Sequence, residues 1–272
     1  MAPLTTPRPD RNRKLRGPMM LRSDDAQQAS THDRRLLESL GSTDHDWKHA
    51  DPWRVMRIQS EFVAGFDALS ELPKAVTVFG SARLGEDTPE YQQSYEVGKA
   101  LAEAGYAVIT GGGPGLMEGP NRGAHNADGV SVGLGIELPF EQGLNDWVDL
   151  GLNFRYFFAR KTMFLKYSQA FIALPGGFGT MDEVFEVLCM VQTGKVTNFP
   201  IVLIGTEFWS GLVEWIVDQQ LARGLISPGD EKLFLVTDSV EEAVAHIVEK
   251  HKVMTDERLG AQHPAQDPHA QQ

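Results

Sequence analysis

Glu183 follows the loop Pro175-Gly176-Gly177-Phe178-Gly179 by only a few residues, at the start of a stretch with helical spacing of apolar side chains. A carboxylate on the first turn of a helix, beside a glycine loop aimed at a ligand, can act as a base or a nucleophile. The same four residues, Thr180-Met181-Asp182-Glu183, also have the T-x-x-E form of a capping box, in which Glu183 would bond back to the Thr180 amide. Both readings stand on pattern alone. Glu186, one turn further on, is the fallback carboxylate. Upstream, Arg160 and Lys161 form a cationic pair behind the aromatic run Tyr156-Phe157-Phe158. On an ordinary amphipathic helix such a pair would be solvated, but this segment leads directly into the strand that ends in the glycine loop.

Two more loops carry glycine after an apolar run: Gly80-Ser81-Ala82-Arg83 and Gly111-Gly112-Gly113-Pro114-Gly115. Strand, glycine turn and helix N-terminus together make an anion site, because free N–H groups point outward and the helix dipole favours negative charge. Three such loops on one sheet edge predict a phosphate-bearing ligand. The spacing matches neither the P-loop, which needs Lys-Ser/Thr after the glycines, nor G-x-G-x-x-G. The residues therefore give no motif support to an ATPase or a dinucleotide-dependent dehydrogenase.

These loops need a frame that gathers them. Short Val/Ile-rich runs at 75–80, 106–113, 131–138, 170–177, 199–205 and 233–238 alternate with helix-length stretches at 90–105, 115–127, 156–169, 180–193 and 208–223. Continuously apolar strands alternating with helices predict a parallel sheet covered on both faces. The expected fold is α/β, a Rossmann-like doubly wound sheet occupying residues 74–252. Ahead of it, 31–73 reads as a helical extension with Trp53, Met56, Ile58, Phe62, Phe66 and Leu69 as buried positions. Residues 1–30 and 253–272 read as disordered tails.

Composition narrows the function classes. The chain has 272 residues, 42% of them hydrophobic, a net charge of −12 and a single cysteine, Cys189. An acidic body argues against a general nucleic-acid binder, even though Arg8, Arg11, Arg13, Lys14, Arg16 and Arg22 face Asp10 alone at the N-terminus. One cysteine allows no internal disulfide and too little thiol for a cysteine zinc site; no metal centre is expected. No apolar run reaches a membrane span and no secretory leader is evident, so the cytoplasm is the expected location.

Together these residues resemble the LONELY GUY-type family, the cytokinin riboside 5′-monophosphate phosphoribohydrolases. The family hallmark PGGxGTxxE is matched in full from Pro175 to Glu183, its Arg-Lys pair at Arg160 and Lys161, and its three-glycine loop at Gly111–Gly113, within a resemblance spanning about residues 70–250. Tyr156-Phe157-Phe158 stands where many short members carry Met-His, which, with the N-terminal extension, resembles the longer branch of the family. The resemblance implies a Rossmann-like homodimer or higher oligomer that releases free base and ribose 5-phosphate without a cofactor. It implies catalytic roles for Arg160 and Glu183. The substrate-binding set expected on this reading is Ser81, Gly112, Gly113, Glu141, Lys161, Gly176, Gly177, Phe178, Gly179, Thr180, Met181 and Asp182. The apolar segment 156–167 is then expected at or beside a subunit interface.

The chemistry fits the residues independently. Cleaving an N-glycosidic bond develops positive charge on the sugar, which a carboxylate near the anomeric carbon stabilises. The 5′-phosphate needs amide donors, expected from 176–180 and Ser81. The label "lysine decarboxylase", attached to many members, fits poorly: that reaction needs an electron sink such as pyridoxal phosphate on a Schiff-base lysine, and no lysine is singled out for it. A non-catalytic nucleotide or cofactor-binding module and a base-exchange transferase remain the alternatives.

Overall fold

The computed structural model describes residues 14–16, 31–37, 51–138, 143–197 and 199–262. Its centre is an eight-stranded, wholly parallel sheet in the order β1-β5-β4-β3-β2-β6-β7-β8. The strands are β1 (Lys14–Arg16), β2 (Ala75–Phe79), β3 (Ala107–Thr110), β4 (Ser131–Ile136), β5 (Leu150–Phe154), β6 (Ala170–Ala173), β7 (Ile201–Ile204) and β8 (Phe234–Thr237). The helices are α1 (His32–Leu37), α2 (Asp51–Leu69), α3 (Pro89–Glu103), α4 (Glu118–Asn126), α5 (Phe157–Tyr167), α6 (Phe178–Gln192), α7 (Thr206–Trp215) and α8 (Val240–Gln262). The Rossmann-like reading holds.

The central strands are buried along their whole length because both faces are covered. Alternation along a strand divides the core in two. Ala75 and Phe79 of β2 and Ile109 of β3 face a layer formed by α5, α6 and α7, whereas Val76, Val78 and Val108 face α3, α4 and α8. From β2 the chain winds outward through β3, β4 and β5, then returns to place β6 on the other side of β2. That reversal is the topological switch point, where the crevice of such sheets opens beyond the strand ends.

Four expectations need correction. Leu150–Phe154 is a strand, hidden in the sequence by the Gly and Asn of LGLNF. Lys14–Arg16, inside the stretch read as a disordered tail, pairs with β5 at Lys14↔Leu150 through Arg16↔Leu152. Edge pairing uses backbone groups and leaves no side-chain pattern to read. Helix α8 runs to Gln262, well into the second expected tail, since no proline interrupts it before Pro264. Finally, Trp53 and Met56 are 67% and 59% exposed rather than buried, and Phe66 is 39% exposed, while Leu69 of the same helix is fully buried. Helix α2 meets the body mainly through its later turns.

Candidate active site

The C-terminal ends of β2, β3 and β6 bring all three glycine loops to one cleft of about 740 Å³ at the switch point. Gly80 to Arg83 form one wall and Gly176 to Glu183 another, with Gly111 and Arg160 between them. Met117, Ile136, Leu138 and Phe157 add an apolar side.

The loop after β6 turns at Gly177, which caps α6 from an extended conformation. The first helical bonds are Thr180 N–H and Met181 N–H to the Gly177 carbonyl, both 3.0 Å. The amides of Phe178 and Gly179 precede any intrahelical partner and accompany the positive end of the helix dipole. Helix α6 therefore starts before Thr180, not at it. Thr180 is already in the first turn, its amide committed to Gly177, and Glu183 lies one turn deeper. The capping-box alternative for Glu183 falls on this geometry.

Glu183 is 3% exposed. Burial pushes its carboxyl up to about 7, against the pull of the Lys161 and Arg160 charges and with a smaller push from Glu186 and Asp182. A carboxylate balanced near neutrality in a cleft fits acid–base or nucleophilic work. Arg160, 8% exposed, reaches the same cleft from α5. Its Nε donates to the Leu134 carbonyl at 2.7 Å and its guanidinium lies over the Phe164 ring at 5.0 Å. Gly111 makes room for it: a Cβ there would lie 2.6 Å from Arg160 Nη2.

Not every expected residue reaches the cleft. Lys161 turns away toward α6, where Nζ lies 2.7 Å from Asp182, 2.6 Å from Glu186 and 3.9 Å from Glu183. Burial alone would lower its pKa, but the bonds to Asp182 and Glu186 outweigh that and raise it. Lys161 thus ties α5 to α6 beside Glu183 rather than lining the cavity. Gly112 and Gly113 are also absent from the lining. The Gly112 amide donates to Thr110 Oγ1 at 2.9 Å, and Asn145 donates to the Gly112 and Gly113 carbonyls through its backbone N–H (2.7 Å, to Gly112) and Nδ2 (3.1 and 3.0 Å). Ser81 lines the cleft, but its amide is spent on the Pro175 carbonyl at 3.0 Å, leaving its hydroxyl as the group it can offer. Glu141 lies outside the described residues.

Asn145 was invisible in the sequence, since a loop Asn holding other loops' carbonyls has no spacing signature. The apolar wall of Met117, Ile136 and Leu138 was equally hidden, although Ile136 and Leu138 alternate at the end of a recognised strand. Arg83, legible only as part of its loop, is exposed at the cleft wall with no carboxylate paired to it among the described residues. Among the described residues no group of His, Cys, Asp and Glu could hold a metal ion, and no helix is long and apolar enough to cross a membrane.

A family model described as "Possible lysine decarboxylase" matches residues 117–247. The chain is 33% identical over 181 residues to the cytokinin riboside 5′-monophosphate phosphoribohydrolase of Rhodococcoides fascians, covering 64% of this chain and 89% of that one. It is 25% identical over 178 residues to an Arabidopsis thaliana enzyme of the same name, covering 65% and 82%. Among solved structures, the molybdenum cofactor carrier protein of Chlamydomonas reinhardtii superposes with a TM-score of 0.50 at 25% identity, over 66% of this chain and 99% of that one.

Proposed function

The chain belongs to the cytokinin riboside 5′-monophosphate phosphoribohydrolase family, and on that premise we propose that it hydrolyses the N-glycosidic bond of a purine or N6-substituted purine nucleoside 5′-monophosphate. The bond between C1′ and the base nitrogen breaks, water supplies the hydroxyl on C1′, and the base leaves with a proton. The observation that carries this reading is the meeting of Glu183, Arg160 and the open amides of α6 in one cleft. Ionised Glu183 faces the sugar, where it stabilises the developing positive charge and activates water or attacks C1′. The Phe178 and Gly179 amides, the Ser81 hydroxyl and Arg83 receive the phosphate. Lys161 and then Arg160 oppose the upward push of burial on Glu183, and Arg160 brings its positive charge into the cleft itself. The apolar side formed by Met117, Ile136, Leu138 and Phe157 takes the base. Residues 74–252 form the catalytic unit, with α1 and α2 packed onto it.

A panel of nucleoside monophosphates, each incubated with the protein and assayed for free base, tests the reading. Base release from at least one purine member is expected, and no release from any of them would sink it. The likeness to a molybdenum cofactor carrier supports a second reading, a binding module without turnover. Saturable nucleotide binding with no product would favour that one.

We also propose a homo-oligomer. The structure changes the reason for it: Tyr156, Met163 and Phe164 of the apolar segment are buried within their own domain, leaving Phe157 and Phe158 about 40% exposed. The larger unspent apolar surface is Phe178, 96% exposed, with Phe185 on the same helix at 38%. A ring so exposed at the mouth of a cleft is suited to cover by a second copy. Sedimentation equilibrium at micromolar concentration should show a dimer or larger, and a fully active monomer would contradict it.

A further inference from the structure

Helices α1 and α2 precede the segment matched by the family model, and the proposed reaction assigns them no part. They nevertheless hold the helix that carries Arg160. Glu61 of α2 is 5% exposed, and Arg155 Nη1 lies 3.6 Å from its Oε1. Its Oε1 accepts the Arg155 amide at 2.8 Å and its Oε2 the Tyr156 amide at 3.3 Å. Asp33 of α1 accepts the next amide, Phe157 N–H, at 3.0 Å. Three consecutive N–H groups at the bend from β5 into α5 are thus satisfied by carboxylates from outside the catalytic unit. Burial pushes up the carboxyl of Glu61 and, less completely enclosed, that of Asp33, while the backbone N–H groups they accept, and Arg155 beside Glu61, oppose the push.

The contact continues along α5. Gly65 of α2 lies against Met163, where a Cβ would come within 2.8 Å of the thioether, and Tyr167 donates to the Phe66 carbonyl at 3.2 Å. Arg160 is one turn from the capped end. Its own amide makes the bond to the Tyr156 carbonyl, at 3.3 Å, so its placement depends on how that turn is closed. The far end of Arg160 is held by the Leu134 carbonyl and fits the space left at Gly111, so a shift of the first turn of α5 would pull its backbone away from a guanidinium fixed elsewhere.

We infer that Glu61 is a positioning residue for Arg160, and that the N-terminal extension serves the active site by fixing the first turn of α5. This rests on the proposed reaction and on Arg160 taking part in it. Glu61→Ala removes both acceptors from the bend, and Glu61→Gln keeps one oxygen while turning an NH2 toward the other amide. The full-length variants should fold, retain affinity for AMP within a few fold, and lose kcat by roughly ten- to a hundredfold in Ala and less in Gln, since a shift of about 1 Å in a charged group has that effect. Their pH–rate profile should also move. With Arg160 displaced, less positive charge bears on Glu183 among its neighbours Lys161, Glu186 and Asp182, so the acidic limb should rise to higher pH. A variant that merely folds less well would lower the whole profile without moving the limb.

Hydrogen exchange gives a readout independent of turnover. Amides at the start of α5 should exchange faster in Glu61→Gln, while those of β2 and β6 keep wild-type protection. If Glu61→Ala does not fold, the Gln variant decides. Wild-type kcat and an unmoved limb in Glu61→Gln, or unchanged exchange at α5, would overturn the inference. An inactive wild-type chain would count against the proposed reaction instead, and the exchange comparison would still decide whether Glu61 holds the helix.

Discussion

The glycine loops at 111–113 and 176–179 sit on the same sheet edge, yet their glycines are there for different reasons. Gly111 and Gly112 are glycine because neighbours leave no room: a Cβ would lie 2.6 Å from Arg160 Nη2 in the first case and 2.3 Å from Leu144 in the second, where φ is also +72°. Gly177 and Gly179 face nothing within 4 Å, and Gly177 has a φ of −90° that any residue adopts. No internal contact requires them. What a Cβ there would fill is the cleft itself. The polar groups divide in the same way, with the Gly112 amide and carbonyl consumed internally and the Phe178 and Gly179 amides preceding the first helical bond. Gly176 sides with the 111–113 loop, since a Cβ there would lie 2.1 Å from Thr180 Oγ1, whereas Gly177 and Gly179 leave space open for the ligand proposed above.

The sharpest way to break this contrast is at the carboxylate that the ligand-facing loop delivers. Glu183→Gln should cost roughly a hundredfold or more in turnover of AMP while the protein stays folded. Near-normal turnover would remove the reason to regard the 176–183 segment as functional. A paired substitution comes next. Gly112→Ala should destabilise by about 1–3 kcal/mol, from the left-handed backbone and the Leu144 clash, while turnover per folded molecule stays near wild type. Gly177→Ala should leave the melting temperature unchanged and raise KM for AMP. If Gly177→Ala unfolds the protein and Gly112→Ala does not, the two loops have been assigned the wrong way round.

A smaller effect follows from the burial of Glu183. Its folded-state carboxyl is raised from 4.5 to about 7, so the stability tied to its neutral form is complete below pH 4.5 and lost as pH rises through 7. Glu183→Gln does not titrate there. Relative to wild type, it should therefore gain stability between pH 5 and pH 8, on the order of 2 kcal/mol, read from denaturant midpoints at the two pH values. An equal difference at both would mean that Glu183 ionises freely. The smallest effect is expected at Arg83, the exposed cation of the first loop. Arg83→Ala should raise KM for AMP several-fold, with little change in kcat, and weaken its dependence on salt. An unchanged KM would leave phosphate binding to the α6 amides and Ser81.

The sheet was legible because strands buried on both faces must be apolar throughout, as in AVTVF and IVLI, and because glycine marked their ends. The strand at Leu150–Phe154 escaped because Gly151 and Asn153 broke that run. At the site, residue types and spacing pointed to Glu183 and Arg160, and the fold brings both to one cleft. What spacing could not supply was direction. Lys161, adjacent to Arg160 in sequence, points to α6 instead, because successive residues on a helix face about 100° apart. Gly112 and Gly113 matched a glycine pattern, but the pattern holds no record of Asn145, far along the chain, which consumes their carbonyls. Glu61 was unreadable for a similar reason: its partners are backbone amides 94 and 95 residues away.

The central claim is that the ligand-facing loop holds a nucleotide by its phosphate while Glu183 promotes loss of its base. Incubating the full-length protein with AMP and, in parallel, with adenosine, and quantifying adenine and ribose 5-phosphate over time, tests both halves at once. The account predicts equal amounts of adenine and ribose 5-phosphate from AMP, and far slower release of adenine from adenosine, because a substrate without the phosphate loses the positioning that drives the step. AMP that binds and stays intact, or adenosine cleaved as fast as AMP, would contradict it.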